Sequence, residues 1–221
     1  MNSPRPVVLL ATALALWSVV ALGCSSAYYN TMEKFGVAKR QILVDRVADA
    51  RKSQEAAKEQ FTSALDKFIE VTKVDTGDLK TKYDQLNREY TRSDDRAKEV
   101  RARIASVEDV ADALFREWKK ELKDYSDQNL RRESEREYDL TRRRYEELLD
   151  TMQTAAKRMD PILSKFHDQV LFVKHNLNAR AIAGLSTTSQ GLQEDISRLI
   201  ADMERSIKDA DEFIQTMKED K

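Results

Sequence analysis

Cys24 is the only cysteine in the chain, and it closes the string Val19-Val20-Ala21-Leu22-Gly23-Cys24. A thiol with no second cysteine has no internal disulfide partner, so acylation is its most economical chemistry at such a boundary. The residues before it have the three parts of an export signal. Arg5 and the amino terminus give weak positive charge, an apolar run from Val7 to Leu22 is broken only by Thr12 and Ser18, and small residues lead up to the cysteine. The apolar run is short for a membrane span. Gly23 supplies the small residue a lipoprotein cleavage site needs, although Ala21 stands where Leu is commoner. The expectation is that residues 1–23 are removed and that the mature chain begins at a lipidated Cys24. An uncleaved signal anchor with an inert Cys24 is the alternative. Attached acyl chains contribute ~0.8 kcal/mol per buried CH₂, and two or more chains hold stably. Ser25 rather than Asp follows the cysteine, which in a host with two membranes favours the outer one, facing the periplasm.

The remaining chemistry-bearing residues form weaker constellations. His167 and His175 lie eight residues apart, about 12 Å along one helix and too far to share a metal. Neither an H-x-x-x-H nor a Glu-x-x-His spacing occurs, so no metal and no cofactor are expected. Lys174, His175, Asn176, Asn178 and Arg180 form a dense polar cluster. It reads as a candidate recognition patch at a helix end, or as a polar face or buried network that fixes helix register. Arg131, Arg132, Arg136, Arg142, Arg143 and Arg144 form the most basic stretch, interleaved with Glu133, Glu135, Glu137 and Asp139. Solvated i,i+4 ion pairs are the plainer reading, and contact with lipid phosphates the sharper one. No Gly-rich phosphate loop, nucleophile motif or α/β cleft pattern occurs, so no enzyme is expected.

These residues must be positioned by helices. The chain has 221 residues, of which 35% are charged and 41% apolar, and only 5 are Gly and 3 Pro. Long charged stretches without Gly or Pro and without period-two alternation specify an all-α fold. The formal net charge of -1 provides no basic field for nucleic acid. Leu79, Tyr83, Leu86, Tyr90, Ser93, Ala97, Val100, Ile104, Val107, Ala111, Leu114 and Trp118 alternate in steps of four and three, a heptad seam. Trp118 and Tyr83, Tyr90, Tyr138 and Tyr145 fall at seam spacing, which assigns them to the core. An upstream seam runs through Phe35, Ile42, Ala50, Ala57, Phe61, Leu65, Phe68 and Val71. Gly77 can end the first helix, and Asp78 or Thr76 can cap the second. Ser126 or Asp127 can cap a third, whose seam passes Asp160-Pro161 without a change of spacing and so predicts a kink, with a break capped by Asp160 and restarted at Pro161 as the alternative. Gly184 to Gly191 is the most loop-like stretch, followed by a last seam through Leu192, Ile196, Leu199, Met203, Ile207, Ala210, Ile214 and Met217.

The resulting expectation is a signal peptide at 1–23 and one domain at 24–221. That domain is an elongated antiparallel bundle or coiled coil of four long helices, up-down-up-down. The helices fall near 28–74, 78–125, 128–183 (kinked at Pro161) and 188–219. Val170-Leu171-Phe172-Val173 is apolar on more than one face, so it is expected to be buried by several neighbours or to be an interface.

The strings CSSAYYNTMEKFGVAKRQILVDRV, SVEDVADALFREW and DPILSKFHDQVLFVKHNLNARAIAGL resemble a family of bacterial exported helical proteins known only as a domain of unknown function. The resemblance covers essentially the whole mature chain and carries no activity, substrate or catalytic residue. The functional expectation is a lipid-anchored, non-catalytic envelope scaffold or adaptor, held to the membrane through Cys24 and binding an envelope protein or the cell wall. A membrane-shaping protein and a periplasmic holdase are the alternatives, and narrow seams are compatible with a homodimer.

Overall fold

The computed structural model describes residues 39–73, 78–176 and 179–219, without the side chains of residues 73 and 177–189. Cys24 and the expected export signal lie outside the described residues. Four helices follow one another: α1 Lys39–Lys73, α2 Leu79–Glu121, α3 Gln128–His175 and α4 Ala179–Glu219. No strand occurs among the described residues. α1 packs on α2 and α4, and α3 packs on the same two helices, so the four close into an antiparallel bundle.

The seams explain this closure. In α1 an unbroken alternation of four and three runs through the buried residues Leu43, Val47, Ala50, Gln54, Ala57, Phe61, Ala64, Phe68 and Val71, with Lys39, Ile42, Val44 and Ser53 buried beside it. α4 repeats it through Leu192, Ile196, Leu199, Met203, Ser206, Ala210, Phe213 and Met217. Phe213 and Ser206 occupy seam positions there. Ile207 is buried beside them, and Ile214 packs on the core's edge. In α2 the seam shifts near its end, where Phe115 is buried and Leu114 and Trp118 pack against the core half-exposed. Phe166 of α3 reaches across the bundle to Phe68 of α1 (ring centroids 5.9 Å) and also meets Tyr90 of α2 (6.2 Å).

Register is set by polar contacts along the seams. Lys39 pairs with Glu117 at 2.9 Å, and the Gln60 amide donates to Glu89 at 2.8 Å, between α1 and α2. Arg51 pairs with Asp211 at 2.9 Å between α1 and α4. Arg101 pairs with Asp160 at 2.7 Å between α2 and α3, and Arg158–Asp202 and Lys165–Asp195 join α3 to α4. Each such partly exposed pair contributes only ~0–1 kcal/mol, so their effect is on alignment more than on stability. One polar contact lies inside: Ser206 Oγ donates to Gln54 Oε1 at 3.0 Å with both residues fully buried.

Capping residues act where the sequence places them. Asp78 accepts from the N–H groups of Lys80 and Thr81, and Asp127 from those of Asn129 and Leu130. α3 runs unbroken through Pro161. Proline removes the N–H that would bond the Lys157 carbonyl. Pro161 and Lys157 are both on the exposed side, where that carbonyl is open to solvent, while Met159, Ile162 and Phe166 hold the seam.

The expected loop at Gly184–Gly191 is not there. α3 ends at His175 instead of near 183, and α4 begins at Ala179 instead of near 188. Asn176 makes the stop: its backbone N–H donates to the carbonyls of Phe172 (3.0 Å) and Val173 (3.3 Å), and its side-chain amide donates to Phe172 as well (3.0 Å). Asparagine competes with the helix for its own carbonyls, whereas glycine within a helix costs only about 1 kcal/mol, less than tertiary packing supplies. Gly191 lies exposed in α4, with open space where a Cβ would stand. Gly191→Ala should therefore raise stability by about 0.5–1 kcal/mol in urea denaturation followed by circular dichroism. Phe166→Ala should lower it by about 3–5 kcal/mol. A destabilising Gly191→Ala would restore the loop.

Candidate recognition surfaces

Lys174 and His175 are exposed on the last turn of α3. Asn176 beside them is half-buried and its amide is committed to the Phe172 carbonyl, so it serves the turn. Asn178 lies outside the described residues, and of Arg180 only its place in α4 is described. The apolar run next to this cluster divides as a helix requires: Val170 and Val173 are buried, while Leu171 and Phe172 are 36% and 45% exposed. Two apolar and two cationic or titratable side chains are thus displayed together near one end of the bundle.

The other candidates resolve into structure. His167 sits half-buried against the ring of Tyr90 (centroids 4.9 Å). His175 lies two turns further along α3, and among the described residues no three His, Cys, Asp or Glu side chains are grouped to hold a metal ion. Arg131 pairs with Glu135 at 2.9 Å, and Arg142 with Glu146 at 2.8 Å, both i,i+4. Arg142 also donates to the Tyr138 hydroxyl at 3.1 Å. Tyr138 and Tyr145 are buried, and with Phe115 and Trp118 they form an aromatic cluster between α2 and α3. The Trp118 indole donates to Ser134 Oγ at 2.9 Å, which satisfies the only polar atom of that ring. Tyr83 and Tyr90 pack at the core's edge.

Three exposed apolar residues escaped the sequence reading: Tyr125 (39%), Leu130 (54%) and Leu140 (37%). They lie at the turn between α2 and α3 and on the first turns of α3. The sequence signal for them was a departure from the seam, since Leu130 and Leu140 fall outside the third helix's seam. Surface grooves also run between helices. One of about 270 Å³ is lined by Ile104, Glu108, Gln153 and Ala156 and by the paired Arg101 and Asp160. Among the described residues no helix is long and apolar enough to cross a membrane.

Two titrating groups report the local environment. The Thr81 hydroxyl and the Lys80 N–H hold the Asp78 carboxyl below its usual range. Burial, with Glu108 and Asp112 nearby, pushes the Tyr145 phenol well above its ordinary value near 10. The folded state then keeps a proton that the unfolded state releases as pH rises past the unfolded value. Stability from this group is complete below that value and falls above it. Tyr145→Phe should flatten the loss of stability between pH 10 and 12, measured by denaturation at fixed pH. An unchanged alkaline slope would mean the phenol is hydrated.

Residues 28–217 match the family model described as protein of unknown function (DUF2959), and the chain belongs to that family. No curated protein and no solved structure matches it.

Proposed function

We propose that this member of the family is a lipid-anchored bacterial envelope protein with a non-catalytic spacer or adaptor role. Residues 1–23 are its export signal, and Cys24 carries the acyl chains at the outer membrane, facing the periplasm. The observation that carries the reading is the separation of two unlike ends. α1 starts at Lys39 beside Glu117 of α2, so the N-terminal chain joins the bundle at the end that holds the α2–α3 turn. Leu171, Phe172, Lys174 and His175 are exposed towards the opposite end. The 35 residues of α1 set the two ends about 50 Å apart at 1.5 Å per residue. A core packed along that length is stiff. The bundle then holds a small recognition surface at a fixed height, with Leu171 and Phe172 as apolar anchors and Lys174 and His175 as a polar rim.

Membrane shaping along the side of the bundle is less well supported. Arg131 and Arg142 pair with Glu135 and Glu146, and Glu133, Glu137 and Asp139 interleave the other arginines of this stretch.

Mass spectrometry of the mature amino terminus tests the anchor. The expected first residue is a diacylated or triacylated Cys24, and Cys24→Ala should abolish the acyl mass. A peptide that retains residues 1–23, or an unmodified Cys24, would refute the anchor. A photo-crosslinker at Phe172 should give one discrete protein or cell-wall adduct, lost in Leu171→Asp. Self-adducts alone would replace the adaptor by a homo-oligomer.

A further inference from the structure

The bundle ends unevenly. Lys165 pairs with Asp195, and Arg158 with Asp202, so the same antiparallel register sets Glu219, the last described residue of α4, beside residue 141 of α3. Lys39, the first described residue of α1, meets Glu117. The last turn of α2, the turn at 122–127 and α3 as far as Leu140 therefore stand beyond the described ends of α1 and α4. At 1.5 Å per residue, this part of α3 projects about 20 Å. Trp118 and Tyr138 close the hairpin from within (ring centroids 5.7 Å).

The outer surface of this tip has a composition of its own. Leu130 is 54% exposed and Tyr125 39%. Lys119, Lys120 and Lys123 are exposed and make no ion pair with a described residue, and the guanidinium of exposed Arg132 reaches only the Asn129 side chain. The excess of cations is confined to the distal end of the tip: from Lys119 to Arg132 five cations (Lys119, Lys120, Lys123, Arg131, Arg132) stand against three acids (Glu121, Asp124, Asp127), while Arg131 pairs with Glu135 and Glu133, Glu137 and Asp139 balance the rest of α3 as far as Leu140. One of those acids, Asp127, is committed to the N–H groups that open α3. An exposed Leu and Tyr on a tip whose lysines pair with no described residue match the headgroup boundary of a bilayer, which takes apolar groups below and cations at its phosphates.

We propose that the α2–α3 tip rests on an anionic lipid bilayer, with Leu130 and Tyr125 entering the interface and the three lysines meeting headgroup phosphates. The inference deepens the anchored reading and rests on it for orientation. The fourteen residues from 25 to 38 reach at most about 50 Å when fully extended. Lys39, at the end that leads with this tip, therefore lies within about 50 Å of the anchor. The contact is weak and reversible by itself, because one Leu and one Tyr bury little area. Its effect is to stand the bundle upright rather than to attach it.

The test uses the full chain, processed in a bacterial host and reconstituted in vesicles with and without phosphatidylglycerol. Leu130→Cys and, at the other end, Phe172→Cys each carry an environment-sensitive fluorophore, and nitroxide lipids are the quencher. Quenching at position 130 should exceed that at 172 at least threefold in anionic vesicles. It should fall at least threefold in zwitterionic vesicles and when Lys119, Lys120 and Lys123 are all changed to Gln. Equal quenching at both positions, quenching at neither, or indifference to lipid charge would overturn the proposal, as would a protein adduct formed from a photo-crosslinker at 130. The acyl mass of Cys24, read on the same samples, separates the two readings. An unacylated chain whose tip is still quenched would remove the anchor and keep the tip, and an acylated chain with an unquenched tip would do the reverse.

Discussion

Each helix carries an apolar seam too narrow to be shared among many neighbours and too continuous to be left in water. Burial of a large side chain such as Phe166 or Leu86 is worth about 1.5–3 kcal/mol, and such positions recur every three or four residues over the length of each helix. A seam of this kind is satisfied only when two neighbours flank it throughout. Four such seams joined by short turns have a closed antiparallel arrangement as their natural solution. The remaining features follow from that closure. Ion pairs at the seam edges select one register, and Gln54 with Ser206 places one polar contact inside it. Polar atoms inside the bundle are not all satisfied: Gln54 Nε2 and Ser93 Oγ are buried without a hydrogen-bond partner among the described residues. A buried unsatisfied group costs about 1–3 kcal/mol, an expense tolerated where polar groups discourage alternative alignments.

The same closure commits many side chains in the body of the bundle to packing and pairing. Tyr138, Tyr145 and Trp118 are used for packing, and Arg131 and Arg142 pair along their own helix. Asn176 closes α3. Among the described residues, the large apolar side chains left exposed gather towards the two ends, where the seams run out and the helices differ in length. α3 has 48 residues and α4 has 41, so their ends cannot be level at both extremities. The ends differ in kind. One offers Leu171 and Phe172 beside Lys174 and His175, and the other offers Leu130 and Tyr125 with exposed lysines that pair with no described residue.

Much of this was legible in the chain. The four seams, the caps at Asp78 and Asp127 and the continuity of α3 through Pro161 follow from spacing and local chemistry alone. The turn between α3 and α4 was misplaced because Gly184 and Gly191 look like punctuation, whereas Asn176 supplies the carbonyl partners that end a helix. Seam membership was read one residue out at Phe115 and Phe213, where apolar neighbours at 114 and 214 compete and only the packing decides between them. The overhang of α3 was not legible. It depends on pairs such as Arg158–Asp202 and Lys39–Glu117, which join residues far apart in sequence, and no local pattern encodes their register. Cys24 lies outside the described residues, and its role still rests on the residues around it.

The central claim is that the bundle stands between a membrane and a recognition end. Energy transfer from a donor at position 172 to acceptor dyes in the bilayer surface, on the acylated full chain, measures that height directly. An upright bundle predicts about 50 Å or more, set by the rise of α1 and the overhang beyond it. A height under about 20 Å would mean that the bundle lies along the membrane, and it would contradict the account.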